Sequence, residues 1–254
     1  MKRWRGWLLP VVVLALCEAA LRLLDIQSDT LALPSHIAQA AWHALLDGSL
    51  LASTAQTLLA AALGQAGGFG GGVLAGLILG MSASAARFAS ISIEILRPIP
   101  SVSLIPLMMM IFGFGYSMES ATVAFATFWP SLILTQSAVR LIDGQLLEVA
   151  RVTCLSPLQT TWKILLPAIA PHMFTALRLT IGIALIVTVT VEIVANPQGL
   201  GYSLMVAQET FRPDLMLATL LWIGLIGWGL SYGLLALQDR LFKHRAGFPM
   251  EQSG

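Results

Sequence analysis

The chain has 254 residues, of which 57% are hydrophobic and 11% charged, with a net charge of +1. Soluble domains carry roughly 25% charged residues, so a mean hydropathy of +0.81 excludes that class and indicates an integral membrane protein. The fourteen basic residues are scattered, which argues against nucleic-acid binding.

A transmembrane helix needs about 20 mostly apolar residues. Six candidate spans meet that condition, at roughly 7–25, 55–80, 98–117, 120–138, 177–195 and 216–237. They are too long and uniformly apolar for barrel strands, so the expected fold is an all-α membrane protein. The first run, after MKRWR, reads as an uncleaved helix. Leu16 stands where a lipoprotein signal has a small residue before its cysteine, and no A-x-A site closes the run. Six spans put both termini on one side. With that side cytoplasmic, twelve basic residues lie inside and only Arg22 and Arg212 outside, as the positive-inside rule requires.

Between the first two spans, LPSHIAQAAWHALLDGS carries Ile37, Ala40, Ala41 and Leu45 at helical spacing. It reads as a short amphipathic helix at the outer interface. Its histidines, His36 and His43, lack further ligand candidates and read as solvated. Span two contains GQAGGFGGGVLAG (64–76), whose glycines suit close helix packing. Span three opens with EILRPIPSVSLIP, where Glu94 and Arg97 are expected to mark the interfacial entry. Met108, Met109 and Met110 come next; they suit lipid-facing or core positions, with Met109 a candidate for the translocation path. Glu192 in span five is the one acid expected deep in the membrane, either supporting packing or lining a path. No basic residue is expected at mid-span.

The longest internal segment, 140–176, is not a featureless loop. Asp143 can cap a helix running through Leu146, Val149 and Ala150. Ser156-Pro157-Leu158-Gln159 reads as a capping box with proline at the first helical position. The second helix would align Leu158, Trp162 and Leu165 on one face, and Pro167 and Pro171 would end or kink it. Two short capped helices would then project from the inner membrane face, rigid enough to contact a partner without a large ordering cost.

The residues Glu148-Val149-Ala150, then Ile164, Leu166 and Pro167, resemble the EAA loop of bacterial binding-protein-dependent ABC importers, E-A-A-x(3)-G-x(9)-I-x-L-P. Five of seven motif positions match. Val149 replaces the second-position alanine, and Cys154 replaces the glycine. The literal Glu18-Ala19-Ala20 is a decoy, because Pro34 stands where the isoleucine should be. LRPIPSVSLIPL and NPQGLGYSL (196–204) further resemble permeases for nitrate, sulfonate and taurine.

The resemblance implies a type I importer permease fold with six transmembrane helices and cytoplasmic termini, in a bacterial cytoplasmic (inner) membrane. Residues 1–49 would hold the first span and the outer helix, 50–240 the permease core, and 241–254 a cytoplasmic tail. ATPase coupling would fall to Glu148, Val149, Ala150, Arg151, Cys154, Leu155, Ser156, Ile164, Leu166 and Pro167. The implied partners are two ATPase subunits, a second permease copy and an extracytoplasmic solute-binding protein. ATP and Mg would be bound by the ATPase, since this chain has no Walker motif, and the chain itself would not be an enzyme. The cargo implied is a small anion such as a sulfonate, nitrate or taurine. The competing expectation is a stand-alone secondary transporter, which would show internal repeats and ionisable residues at mid-membrane. A membrane anchor without a transport role would leave the capped double helix unexplained.

Overall fold

The computed structural model describes residues 32–242, together with 12, 13, 16, 18–20, 22 and 23. Most of the first expected span, including Cys17, and nearly all of the tail at 241–254 lie outside the described residues. The described elements are helical: α1 Pro34–Leu46, α2 Ser49–Met81, α3 Ala83–Leu96, α4 Ile105–Phe112, α5 Tyr116–Arg140, α6 Gly144–Val152, α7 Pro157–Thr160, α8 Leu166–Val194, α9 Gly199–Glu209 and α10 Pro213–Phe242. A 3₁₀ turn, Ser101–Leu104, precedes α4, and a π turn, Thr161–Leu165, joins α7 to α8.

Four of these stretches are long and apolar enough to cross a bilayer: Ser49–Met81, Tyr116–Arg140, Leu158–Val194 and Pro213–Leu241. The expected single span at 98–117 does not form: its helix stops at Phe112, and α5 already begins at Tyr116. Ser101–Phe112 instead meets Ala83–Leu96 at a bend of 81°, and only together would they make a fifth span. The prolines cause the bend. Arg97, before Pro98, is still helical at φ −58° and ψ −44°, but Pro98 supplies no N–H to continue α3, and Pro100 is extended, at φ −62° and ψ 120°. Pro106 sits in the first turn of α4, where its missing N–H costs nothing. Eight residues of α4 rise only about 12 Å, well short of a bilayer core of about 30 Å.

The bundle is organised by the glycine face of α2. A β-carbon on Gly64, Gly72, Gly76 or Gly80 would come within 2.5–2.7 Å of α5 atoms, and one on Gly68 would overlap Thr127 Oγ1 and the Ala124 carbonyl oxygen. These five glycines recur every four residues, so they share one stripe of the helix. Two apolar clusters lie further along the bundle. Val73, Leu77, Ala138, Val139, Leu165 and Ile169 pack together, as do Ile105, Met118, Val123, Ala184, Val187 and Val191.

The amphipathic helix forms as expected. Ala44 of α1, with Leu45 beside it, packs against Leu50, Leu200, Leu215 and Trp222. The decoy glutamate also has a task here. Glu18 accepts the Ser35 N–H at 3.0 Å and the Ser35 hydroxyl at 2.8 Å, and it pairs with Arg22 at 2.6 Å. That ties Glu18 and Arg22 to the N-terminus of α1, whose orphan N–H groups favour a carboxylate.

Candidate functional site

The segment 140–176 keeps its expected caps. Asp143 Oδ1 accepts the Gln145 N–H at 3.0 Å, starting α6. The capping box is reciprocal: Ser156 Oγ accepts the Gln159 N–H at 3.3 Å, and Gln159 Oε1 accepts the Ser156 N–H at 3.1 Å. Glu148, Val149, Ala150 and Arg151 lie in α6, with the Glu148 side chain exposed. Cys154 is exposed in the turn, Leu155 is half-buried beside it, and Ser156 is the exposed cap.

Two expectations for the second helix are corrected. Pro167 and Pro171 do not end it; the helix runs unbroken from Leu158 to Val194. The device that accommodates Pro167 is the π turn immediately before it, where the Leu166 N–H donates to the Thr161 carbonyl. In a regular α-helix the Pro167 ring would collide with the Lys163 carbonyl, and widening the turn removes that clash. The same turn splits the stripe expected from Leu158, Trp162 and Leu165. Leu165 is buried in the bundle, whereas Leu158 and Trp162 are 70% and 66% exposed. One extra residue in the turn rotates the succeeding side chains by roughly 100°, so the earlier two project outward. Val152, on the preceding helix, is 84% exposed. Ile164 and Leu166 are half-buried and Pro167 is exposed.

Cys154 retains the backbone conformation for which the motif has glycine, with φ of 50°. A side chain in this left-handed region costs about 1–2 kcal/mol. Cys154→Gly is therefore expected to raise stability by about 0.5–1 kcal/mol once glycine's freer unfolded chain is counted. Thermal denaturation of the detergent-solubilised protein reads this, and a lowered midpoint would contradict the left-handed turn.

At the other end of the bundle, the Glu192 carboxylate is buried and bound within the chain. Oε1 accepts the Thr57 hydroxyl at 2.7 Å, and Oε2 accepts the Gly201 N–H at 2.8 Å. Thr57 Oγ1 accepts the Leu200 N–H at 2.9 Å, and Gln56 Oε1 accepts that of Gly199 at 3.0 Å. Three successive N–H groups at the start of α9 are thus capped by side chains from other helices. This accounts for the glycines of NPQGLGYSL. Gly199 has φ of 90°, and a β-carbon there would overlap the Glu192 carboxylate. Met109 is half-buried against the Ile105, Met118 and Val123 cluster.

Sequence reasoning missed a second buried acid, and both it and Glu192 lie within three residues of a helix end rather than deep along a span. Glu119 is 1% exposed, and its Oε1 has no hydrogen-bond partner among the described residues. Placing span four at 120–138 left Glu119 outside by one residue, whereas α5 begins at Tyr116. Arg97, expected at an interface, is exposed at the C-terminal end of α3. It lines a cavity of about 260 Å³ with Ser101, Phe125, Trp129, Pro130 and Ile183. It also borders a second cavity of about 560 Å³, shared with Arg87, Arg140 and Gln136.

Bilayer-length helices packed through a glycine face, with a capped apolar projection at one end, define a multi-pass membrane protein with a candidate docking element. The chain belongs to the family described as the inner membrane component of binding-protein-dependent transport systems, which it matches over residues 68–246; it is a permease of the ABC importer class. A Bacillus subtilis (strain 168) permease named for aliphatic sulfonates transport is 29% identical, over 95% of this chain and 87% of the relative. The taurine transport system permease protein of Escherichia coli (strain K12) is 30% identical, over 67% and 62%. The nitrate import permease protein of Leptolyngbya laminosa is 26% identical, over 76% and 73%. In fold, the chain is similar to a methionine ABC transporter solved in inward-facing conformations, with a TM-score of 0.64 and 22% identity over 74% of this chain and 92% of that one.

Proposed function

We propose that this chain is the multi-pass permease subunit of an ATP-driven importer in the bacterial cytoplasmic membrane. Two copies, as a homodimer, form the path for a small anion such as a sulfonate, nitrate or taurine. An extracytoplasmic binding protein delivers that solute. Two cytoplasmic ATPase subunits, which hold ATP and Mg, drive the permease pair between outward and inward openings. Met109 and Glu192 belong to this reading as path neighbours, with Glu192 also anchoring α9.

The observation that carries the proposal is the projection itself. Val152, Leu158 and Trp162 expose large apolar side chains around a turn that a reciprocal capping box holds rigid. Exposed apolar patches of this kind mark interaction surfaces, and a rigid one loses little entropy when it docks. Its sequence is the one that resembles the EAA loop.

Thiol labelling of Cys154 tests this. Its exposure predicts ready reaction with a water-soluble maleimide in the free permease and suppression of that reaction once the ATPase subunits are bound. Strong labelling that is indifferent to the ATPase would overturn the assignment of this turn as the contact point.

A further inference from the structure

The Arg97 guanidinium has no ion-pair or side-chain hydrogen-bond partner among the described residues. The depth of its surroundings makes that notable. At about 1.5 Å per residue, Phe125 and Trp129 lie about 14 and 20 Å from the outer end of α5. Ile183 lies about 17 Å from the outer end of α8 by the same measure. Under the permease topology proposed above, with those helix ends set at the outer boundary of a bilayer core whose half-thickness is about 15 Å, the cavity they share with Arg97 and Ser101 comes near mid-membrane. An unpaired guanidinium at that depth cannot rest against hydrocarbon; it must face water or an anion. The 81° break between α3 and the succeeding turn brings it there.

The remaining lining has matching chemistry. Ser101 supplies a hydroxyl donor, and Trp129 carries a buried indole N–H that finds no acceptor among the described residues. The neighbouring cavity extends from Arg97 past Gln136 to Arg140, at the cytoplasmic end of α5, and includes Arg87. Positive charge is thus distributed from mid-membrane to the inner surface. Glu94 is the one acid lining either cavity, and it forms no salt bridge with these arginines among the described residues. Low-dielectric walls lined by one sign of charge concentrate the opposite ion.

We propose that Arg97, Ser101 and Trp129 form an oxyanion-binding station midway along the translocation path, from which Arg87 and Arg140 lead the anion to the cytoplasm. This rests on the permease reading above and adds that the membrane subunit itself contacts the anionic group of the solute. A lipid phosphate is held at the headgroup plane, so the ligand here is the free anion.

The test is charge-selective labelling at the cavity in the complete permease–ATPase complex, with Cys17→Ala and Cys154→Gly removing the native thiols and Ser101→Cys adding one. Rates with anionic (sulfonatoethyl) and cationic (trimethylammonioethyl) methanethiosulfonates are each normalised to a free thiol. The expected result is a preference of at least about tenfold for the anionic reagent, slowed by sodium ethanesulfonate and reduced to near unity by Arg97→Ala. Equal rates, a cationic preference, or no reaction with either reagent would overturn the station. Slowing by anionic lipid but not by ethanesulfonate would overturn the free anion as its ligand. Ethanesulfonate uptake by the unaltered complex is measured alongside. Failure of that uptake would count against the cargo assigned under the permease reading, while the charge preference at Ser101 decides the station separately.

Discussion

Gly68→Ala is expected to destabilise the folded permease by about 3 kcal/mol, while Gly70→Ala two residues later is expected to be neutral or mildly stabilising. At Gly68 the new β-carbon would fall on Thr127 Oγ1 and on the Ala124 carbonyl oxygen, and within 2.8 Å of the Ala124 α-carbon. Two of those atoms are backbone, so relief requires α2 and α5 to separate along their length. At Gly70 the same methyl meets nothing within 4 Å, and alanine's helix propensity favours the variant by up to about 1 kcal/mol. The yield of monodisperse protein after detergent extraction, and its thermal midpoint, measure the contrast. Equal behaviour of the two variants would mean that the glycine stripe is not the packing face.

Glu148→Ala is expected to lower uptake at least about tenfold while leaving the permease folded and inserted. Glu148 is exposed on α6, six residues before the left-handed turn at Cys154. It makes no hydrogen bond or ion pair to another described residue. Removing such a charge alters the stability of an isolated chain by no more than about 0.5 kcal/mol. Truncating a charge that becomes buried against a partner costs far more, because the partner's group is left unpaired. Uptake in proteoliposomes, normalised to the amount of inserted permease, reads the effect. Wild-type uptake would show that Glu148 is only a solvated surface charge.

The sequence was most legible where a local rule determines the structure. Asp143, Ser156 and Gln159 cap as their spacing requires, because a capping box is closed by residues three apart in the chain. The glycines of α2 announced close packing, although their partner, α5, could not be read from them. Hydropathy misjudged the window 98–117. It is mostly apolar, but its helix stops at Phe112, with Gly113 and Gly115 at positive φ before α5 begins at Tyr116, while Pro98 and Pro100 stand at its start, where it bends away from α3. Glu119 was lost to a boundary error of a few residues. The π turn before Pro167 had a sequence signal in the proline, but its remedy is a tertiary matter: Leu165 is drawn into the bundle while Leu158 and Trp162 remain outside. The role of Glu192 needed three dimensions, since Thr57 lies 135 positions earlier in the chain.

The measurement that bears most directly on the central claim is the energy source of transport. Purified permease is reconstituted with its ATPase subunits, binding protein and a labelled sulfonate, with and without ATP, and separately with an imposed proton or sodium gradient. An ABC importer permease predicts uptake that requires ATP, the ATPase and the binding protein together, and that no gradient can replace. Gradient-driven uptake by the permease alone would contradict the account and identify a secondary transporter.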